Sequence, residues 1–379
     1  MLVDPFSFFA FRDSLCFPRA PPPAGGVNNP AMATERWMSA TAKSPEEEQL
    51  SFALRPARLD EYVGQSTMVQ RLRISIDAAR SRGEALEHLL LHGPPGLGKT
   101  TLAHVIAAEM GSAVHVTSGP ALTKGTELVG LLQRLKPRDV LFIDEIHRLP
   151  IAVEEFIYPA MEDGRIDIAI DQGLNARTVS IALKPFTLIG ATTRAGLLSA
   201  PLRSRFGLTH HLEYYPPEDL LRIVTRSASL LSMRAEAGAL DAIAHRSRGT
   251  PRIANRLLRR VRDYAQVRAA GLTAARTVDE ALSLEGVDAL GLDELDRKYL
   301  RTIVQTYKGG PVGLEAVAAT MGEDAGTLED VVEPYLLQIG FLARTRRGRQ
   351  LTADAATYLG VSIAGTAPSP APGALFEEA

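Results

Sequence analysis

The sequence predicts an α/β fold: a domain built on a parallel sheet with helices on both faces, followed by a helical domain and a C-terminal winged helix. Three observations lead there. From Leu54 to about Pro217, apolar strand-like runs alternate with helical patterns, the order that builds a parallel sheet. Residues 218–283 read as helices only. Residues 292–360 read as three helical patterns and an arginine-rich hairpin.

Residues 1–48 differ from the rest, with a Phe-rich start, Pro21-Pro22-Pro23, Gly25-Gly26 and the acidic Glu46-Glu47-Glu48. Asp4, Arg12 and Asp13 interrupt the apolar start, which argues against a signal peptide. The expectation is a disordered extension, or translation that begins at Met32 or Met38, with a mature chain starting downstream of Cys16. Across 49–217 the apolar strand-like runs are Leu89–Leu91, Ala113–Thr117, Val140–Ile143 and Phe186–Gly190. Residues 166–170 and 178–182 alternate with period two around a turn containing Gly173, so 166–182 is expected to be an inserted hairpin. Pro216-Pro217 is expected to be a linker. Within 218–283, Gly249-Thr250-Pro251-Arg252 should start a helix, with Thr250 as N-cap and Pro251 at the first helical position. In 284–360, helical patterns at 293–306, 314–320 and 328–339 precede Phe341–Leu351, which reads as two short strands turning near Gly348. Three helices and a basic hairpin describe a winged helix. The Pro/Ala/Gly-rich tail at 361–379 is expected to be disordered.

Composition narrows the function classes. A chain of 379 residues can hold two or three domains with separate cores, and 45% hydrophobic with 23% charged residues excludes wholesale disorder. The net charge of −2 excludes a uniformly basic nucleic-acid coat, so any DNA contact must be a local patch, helped by partners or by repetition in an oligomer. One cysteine, Cys16, excludes an internal disulfide or a cysteine metal site. His210-His211 reads as surface or core. No run approaches the roughly 18 apolar residues that span a membrane, and the expectation is a soluble, cytoplasmic protein.

Two segments carry the chemistry. Gly93-Pro94-Pro95-Gly96-Leu97-Gly98-Lys99-Thr100 follows the Leu89–Leu91 run and precedes a helical pattern through Leu102, Val105, Ile106 and Met110. Strand, glycine-rich loop and helix form a phosphate cradle, in which backbone N–H groups and the helix N-terminus face the phosphates. Lys99 can reach the β- and γ-phosphates and Thr100 can hold Mg²⁺. Val140–Glu145 is a buried-strand run ending in two carboxylates, with Asp144 suited to Mg²⁺ and Glu145 to orienting water. Binding and hydrolysis of a nucleoside triphosphate follow. Thr193 ends the strand expected beside Asp144; it is either part of a strand-terminating turn or a sensor of the γ-phosphate. Arg205 reads as an exposed arginine at the edge of the domain. The arginines at 246, 248, 252, 256, 259, 260 and 262 read mostly as a charged helix face, with Arg252 placed to reach phosphate. Arg344, Arg346, Arg347 and Arg349 are either a solvated loop or, on a wing, clamps for duplex phosphates.

From about Leu54 to Gly360 the chain resembles the RuvB family, Holliday-junction branch-migration motors of the AAA+ ATPase superfamily. The segments that carry the resemblance are Arg55-Pro56 through Gln65, His92–Thr101, Leu141–Leu149, Tyr158–Asp163, Gly190–Gly196 and Gly249–Arg256. The resemblance implies an AAA+ ATPase domain with a helical lid and a winged helix, with ATP and Mg²⁺ as cofactors. It implies that Leu54, Arg55, Tyr62 and Val63 flank the adenine and that Gly96, Gly98, Lys99, Thr100 and Thr101 hold the phosphates. Glu162, Asp163, Gly164 and Tyr215 are implied as further nucleotide contacts. Thr193 would be the first γ-phosphate sensor, Arg205 an arginine finger for the neighbouring subunit, Arg252 the second sensor, and Arg344 and Arg349 DNA contacts. The implied assembly is a homo-hexamer on double-stranded DNA at Holliday junctions, with RuvA contacting the 166–182 hairpin and RuvC in the same complex. Gly164 stands where the family usually has an aromatic residue, and Asp171 and Leu174-Asn175 alter a hairpin tip that is usually Gly and Pro-Ala. These departures bear on the partner contact. The rival readings are a clamp-loader-like ATPase, expected to lack the basic wing, and a winged-helix regulator that uses ATP only as a conformational ligand, against which Glu145 and Arg205 argue.

Overall fold

The computed structural model describes residues 53–169 and 178–362. Expectations about the 1–48 extension, the hairpin tip with Asp171, Gly173, Leu174 and Asn175, and the tail beyond residue 362 lie outside the described residues.

Five parallel strands form the central sheet in the order β2 (Val114–Ser118), β3 (Val140–Asp144), β6 (Thr187–Thr192), β1 (Leu89–His92) and β7 (Leu208–His211). The inner strands are buried along almost their whole length because both faces are covered. Leu89, Leu91, Val140 and Phe142 face one core with α1 (Ser66–Arg82) and α2 (Lys99–Met110). Leu90, Leu141 and Ile143 face the other with α3 (Gly125–Arg134) and α4 (Ile151–Glu162). β4 (Arg165–Ala169) and β5 (Thr178–Ala182) pair antiparallel outside this sheet, as the body of the inserted hairpin. A short helix, α5 (Ala200–Ser204), precedes β7.

Next come α6 (Pro217–Leu230), α7 (Ala237–His245), α8 (Pro251–Arg268) and α9 (Ala275–Leu284). Their apolar faces, including Leu220, Val224, Ile243, Val261 and Leu282, join the α1–α2 core, so one continuous apolar cluster links these helices to the sheet domain. The helices-only expectation is corrected by β8 (Arg234–Ala235) and β9 (Leu272–Thr273), which pair parallel. Two-residue strands are too short to give a period-two signal. Pro216-Pro217 is no linker either, because Pro216 is the N-cap of α6 and Pro217 its first residue, where a missing N–H costs nothing. Thr250 occupies the N-cap position of α8 without capping it. Its hydroxyl donates to the Arg248 carbonyl at 3.1 Å, which the left-handed turn at Arg248 and Gly249 brings within reach.

Arg248 and Arg256, expected on a solvated face, are buried. Arg248 donates to Asp296 and, through Nε, to the Gly291 carbonyl at 2.7 Å. Asp293 and Asp296 form a capping box that starts α10 (Glu294–Tyr307), so this arginine ties the lid helices to the next domain. There α11 (Leu314–Met321) is followed by α12 (Ala325–Thr327), a π-helical turn at Leu328–Val332 and α13 (Glu333–Gln338). The antiparallel wing, β10 (Leu342–Thr345) and β11 (Gly348–Leu351), comes next, with Arg344 opposite Arg349. A helix beyond the three patterns the sequence predicts, α14 (Ala353–Leu359), closes the domain against Leu342 and Leu351.

Candidate functional site

β1 hands the chain to the glycine loop, and α2 begins at Lys99. Gly96 and Gly98 take φ of 80° and 101°, a region that only glycine enters without strain. A Cβ on Gly98 would also lie 3.2 Å from the Tyr62 hydroxyl. This loop forms the floor of a cavity of about 390 Å³, whose lining includes Leu54, Arg55, Tyr62, Val63, Gly96, Gly98, Lys99, Thr100, Thr101, Asp144, Glu145, Thr193, Tyr215 and Arg252. It opens at the carboxyl ends of β1, β3 and β6, where parallel α/β sheets take their ligands.

Electrostatics set the character of the cavity. Lys99 is buried, and its ammonium donates to the Gly93 and Pro94 carbonyls at 2.7 and 2.9 Å. Burial pulls its pKa down to about 8, against the pull of Asp144 and Glu145 and with the help of Arg252. An anion beside Lys99 would offset that desolvation. Asp144 accepts from the Glu145 N–H at 3.0 Å. β6 lies beside β3, which carries Thr193 to Glu145, where its hydroxyl donates to Oε2 at 3.2 Å. His147 Nδ1 sits 3.3 Å from the same oxygen and 2.9 Å from the Thr192 hydroxyl. On the opposite wall, the Tyr215 hydroxyl donates to that of Tyr62 at 3.1 Å, and burial pushes Tyr62 up to about 12.

Arg226 was not singled out from the sequence. It extends from α6 to donate to the Leu54 carbonyl at 2.8 Å and to Glu61 at 2.9 Å, so a lid helix holds the strip carrying Leu54 and Arg55. Ile223 and Asn255 also line the cavity from lid helices. No sequence signal marks them, because they sit in ordinary amphipathic patterns.

Glu162, Asp163, Gly164 and Arg205 are not among the residues lining this cavity. Arg205 Nε is 3.1 Å from Glu162 Oε1, its guanidinium stacks 4.3 Å from the Tyr158 ring centre, and Asp163 pairs with Arg165 at 3.2 Å. In the wing, Arg344 and Arg349 converge on fully buried Glu333 at 2.6 and 2.8 Å, and Tyr299 donates to the same carboxylate at 2.6 Å. Burial alone would raise the Glu333 pKa, but the hydrogen bonds from Arg349, Tyr299 and Arg344 hold it below the usual carboxylate range. His211 stacks on His92 at 4.8 Å. Among the described residues no group of three or more His, Cys, Asp or Glu could hold a metal, and no helix is long and apolar enough to cross a membrane.

Family models match nearly the whole described chain. Residues 54–212 match the Holliday junction DNA helicase RuvB P-loop domain, 215–288 the RuvB AAA lid domain and 289–360 the RuvB C-terminal winged helix domain. The Holliday junction branch migration complex subunit RuvB of Kosmotoga olearia is 56% identical over 328 residues, 86% of this chain and 95% of that protein. Its counterpart from Desulfosudis oleivorans is 57% identical over 314 residues, covering 83% and 92%. Among solved structures, the Thermotoga maritima RuvB Holliday junction branch migration motor aligns at a TM-score of 0.74 with 50% identity, over 82% of this chain and 100% of that one. A mutant of the same motor aligns at 0.75 with 51% identity, over 82% and 99%. With P-loop, lid and winged helix matched in sequence order, the chain belongs to the RuvB family of AAA+ ATPases, the Holliday junction branch migration motors.

Proposed function

We propose that this protein is an ATP-driven DNA motor that translocates duplex DNA and so drives Holliday-junction branch migration, together with RuvA. The observation that carries the reading is the convergence of Lys99, Thr100, Asp144, Glu145, Thr193 and Arg252 on one cavity, with Arg205 held elsewhere on Glu162. Burial disfavours the Lys99 charge, which an anion beside it would offset, and the cavity above the glycine loop has room for phosphates, so the residues fit ATP with Mg²⁺. Bound ATP and Mg²⁺ supply the phosphoanhydride and the charge neutralisation that its cleavage needs.

Lys99 and the N-terminus of α2 bind the phosphates, while Thr100 and Asp144 hold the cation. Glu145 orients the attacking water and accepts its proton. Thr193 and Arg252 register the γ-phosphate from the sheet domain and from the lid. Leu54, Arg55, Tyr62, Val63 and Tyr215 enclose the base and sugar. Arg205 serves the cavity of the adjoining subunit in a hexameric ring, and Glu162, Asp163 and Gly164 line that shared edge. Arg344 and Arg349 grip the DNA backbone without reading sequence. The 166–182 hairpin meets RuvA, RuvC joins the same complex, and the motor works in the cytoplasm. The arginine-bearing wing favours this reading over a clamp-loader-like ATPase. The test is ATP-dependent conversion of a synthetic four-way junction into duplex products, with and without RuvA; no conversion with both proteins present refutes it.

A further inference from the structure

Two polar contacts that tie the winged helix to the rest of the chain differ in kind. The Arg248–Asp296 pair is buried and fixes the winged helix to the lid. In the pair formed by Arg194 and Asp330, joining the loop after β6 to the π-helical turn, a single guanidinium nitrogen, Nη2, faces both carboxylate oxygens, and the side chains are left 44% and 52% exposed. Exposed ion pairs contribute little to folding and are easily exchanged. Arg194 follows Thr193 directly. Its backbone N–H donates to the Thr192 hydroxyl at 3.0 Å, and Thr192 reaches Glu145 through His147. At the other end, Leu328 and Val332 anchor the π-helical turn in the core, while Glu329 lies 3.8 and 3.6 Å from Arg344 and Arg349, which Glu333 also holds. The ion pair therefore joins the segment that carries the γ-phosphate position to the turn that carries Glu329, which faces both wing arginines. π-helical turns are frequent at functional sites.

We propose that the Arg194–Asp330 pair couples occupancy of the γ-phosphate position at Thr193 to occupancy of the wing by duplex DNA, an inference that rests on the assignment of those two sites above. A phosphate that recruits the Thr193 hydroxyl takes it from Glu145, and the Arg194 backbone moves with it. A hydrogen bond weakens steeply as its distance and angle leave the favoured range, so displacement of Arg194 weakens the pair. From the other side, DNA phosphates that draw Arg344 and Arg349 off Glu329 leave its carboxylate uncompensated next to Asp330, which changes the field on Arg194. Such coupling is reciprocal.

The experiment uses the full-length protein at equilibrium. Duplex affinity is measured with and without a non-hydrolysable ATP analogue, and analogue affinity with and without duplex. In the unmodified protein the two ratios should agree and differ from one by about fivefold or more. In Asp330→Asn each ligand alone should bind within about threefold of the unmodified protein, since the pair is exposed, while the coupling ratio collapses towards one. Pairing Arg194→Asp with Asp330→Arg should restore it. A coupling ratio that is unchanged in Asp330→Asn, absent from the unmodified protein, or not restored by the charge swap overturns the proposal. Failure of the unmodified protein to bind the analogue or the duplex at all overturns the site assignments beneath it, a separate and separately visible result.

Discussion

Replacing Glu333 by Gln tests whether one buried carboxylate organises the wing. Glu333 is fully buried and takes hydrogen bonds from Tyr299, Arg344 and Arg349. Tyr299 is itself fully buried, so a weakened acceptor leaves a hydroxyl without water, a cost of about 1–3 kcal/mol. Arg344 and Arg349, with side chains 44% and 19% exposed, can turn partly to solvent, so their share is discounted to about 0–1 kcal/mol each. The sum is about 1–5 kcal/mol for a variant that loses the carboxylate, towards the lower end for Gln, which keeps the shape and one acceptor. Hydrogen exchange across residues 294–351 reads this loss in the chain's own context, where a single unfolding free energy for three domains is undefined.

The same carboxylate predicts a pH dependence. The folded-state pKa of Glu333 lies below its unfolded value, so its contribution is fully present above about pH 4.5 and is lost as pH falls through the folded value. Protection of 294–351 should therefore fall in acid below about pH 4.5 in the unmodified protein, and that step should be reduced in Glu333→Gln. Equal protection in both proteins at neutral pH, together with equal acid steps, refutes the brace.

Three further outcomes are expected. Lys99→Ala should lose tight ATP binding, whereas Glu145→Gln should bind ATP and fail to turn it over; equal affinities in a direct binding assay would contradict the separate roles. Arg205→Ala should bind nucleotide yet hydrolyse at least roughly a hundredfold more slowly, with partial recovery when mixed with Lys99→Ala subunits. Steady-state ATPase of verified mixed rings checks this, and no recovery counts against a finger acting between subunits. Replacing Arg344 and Arg349 together by Ala should weaken duplex binding equally for unrelated sequences and lower the log–log salt slope by about 0.9 per lost contact in each participating subunit. ATPase without DNA should persist, and an unchanged slope would leave the wing arginines as a solvated turn braced by Glu333.

Much of the site was legible because its chemistry is local in the chain. A glycine loop between a strand and a helix places Lys99 and Thr100 without help from distant residues, and a buried run ending in Asp144-Glu145 can belong only to an inner strand that exposes its last side chains. Two apolar faces on one strand likewise require covering helices, so the parallel sheet follows from Val140–Ile143 and its neighbours. Other features depend on partners far apart in sequence. Arg226 holds the strip at Leu54 from 172 positions away, and Arg194 meets Asp330 across 136. Arg248 looks like one of a run of surface arginines and is buried because Gly291 and Asp296 of the next domain pack against it. The wing arginines look like a free charge run, and only packing brings Glu333 under them. Local spacing determines backbone geometry and which side chains share a face. Which charges are desolvated, and by what they are compensated, is decided when separate elements dock and exclude water between them.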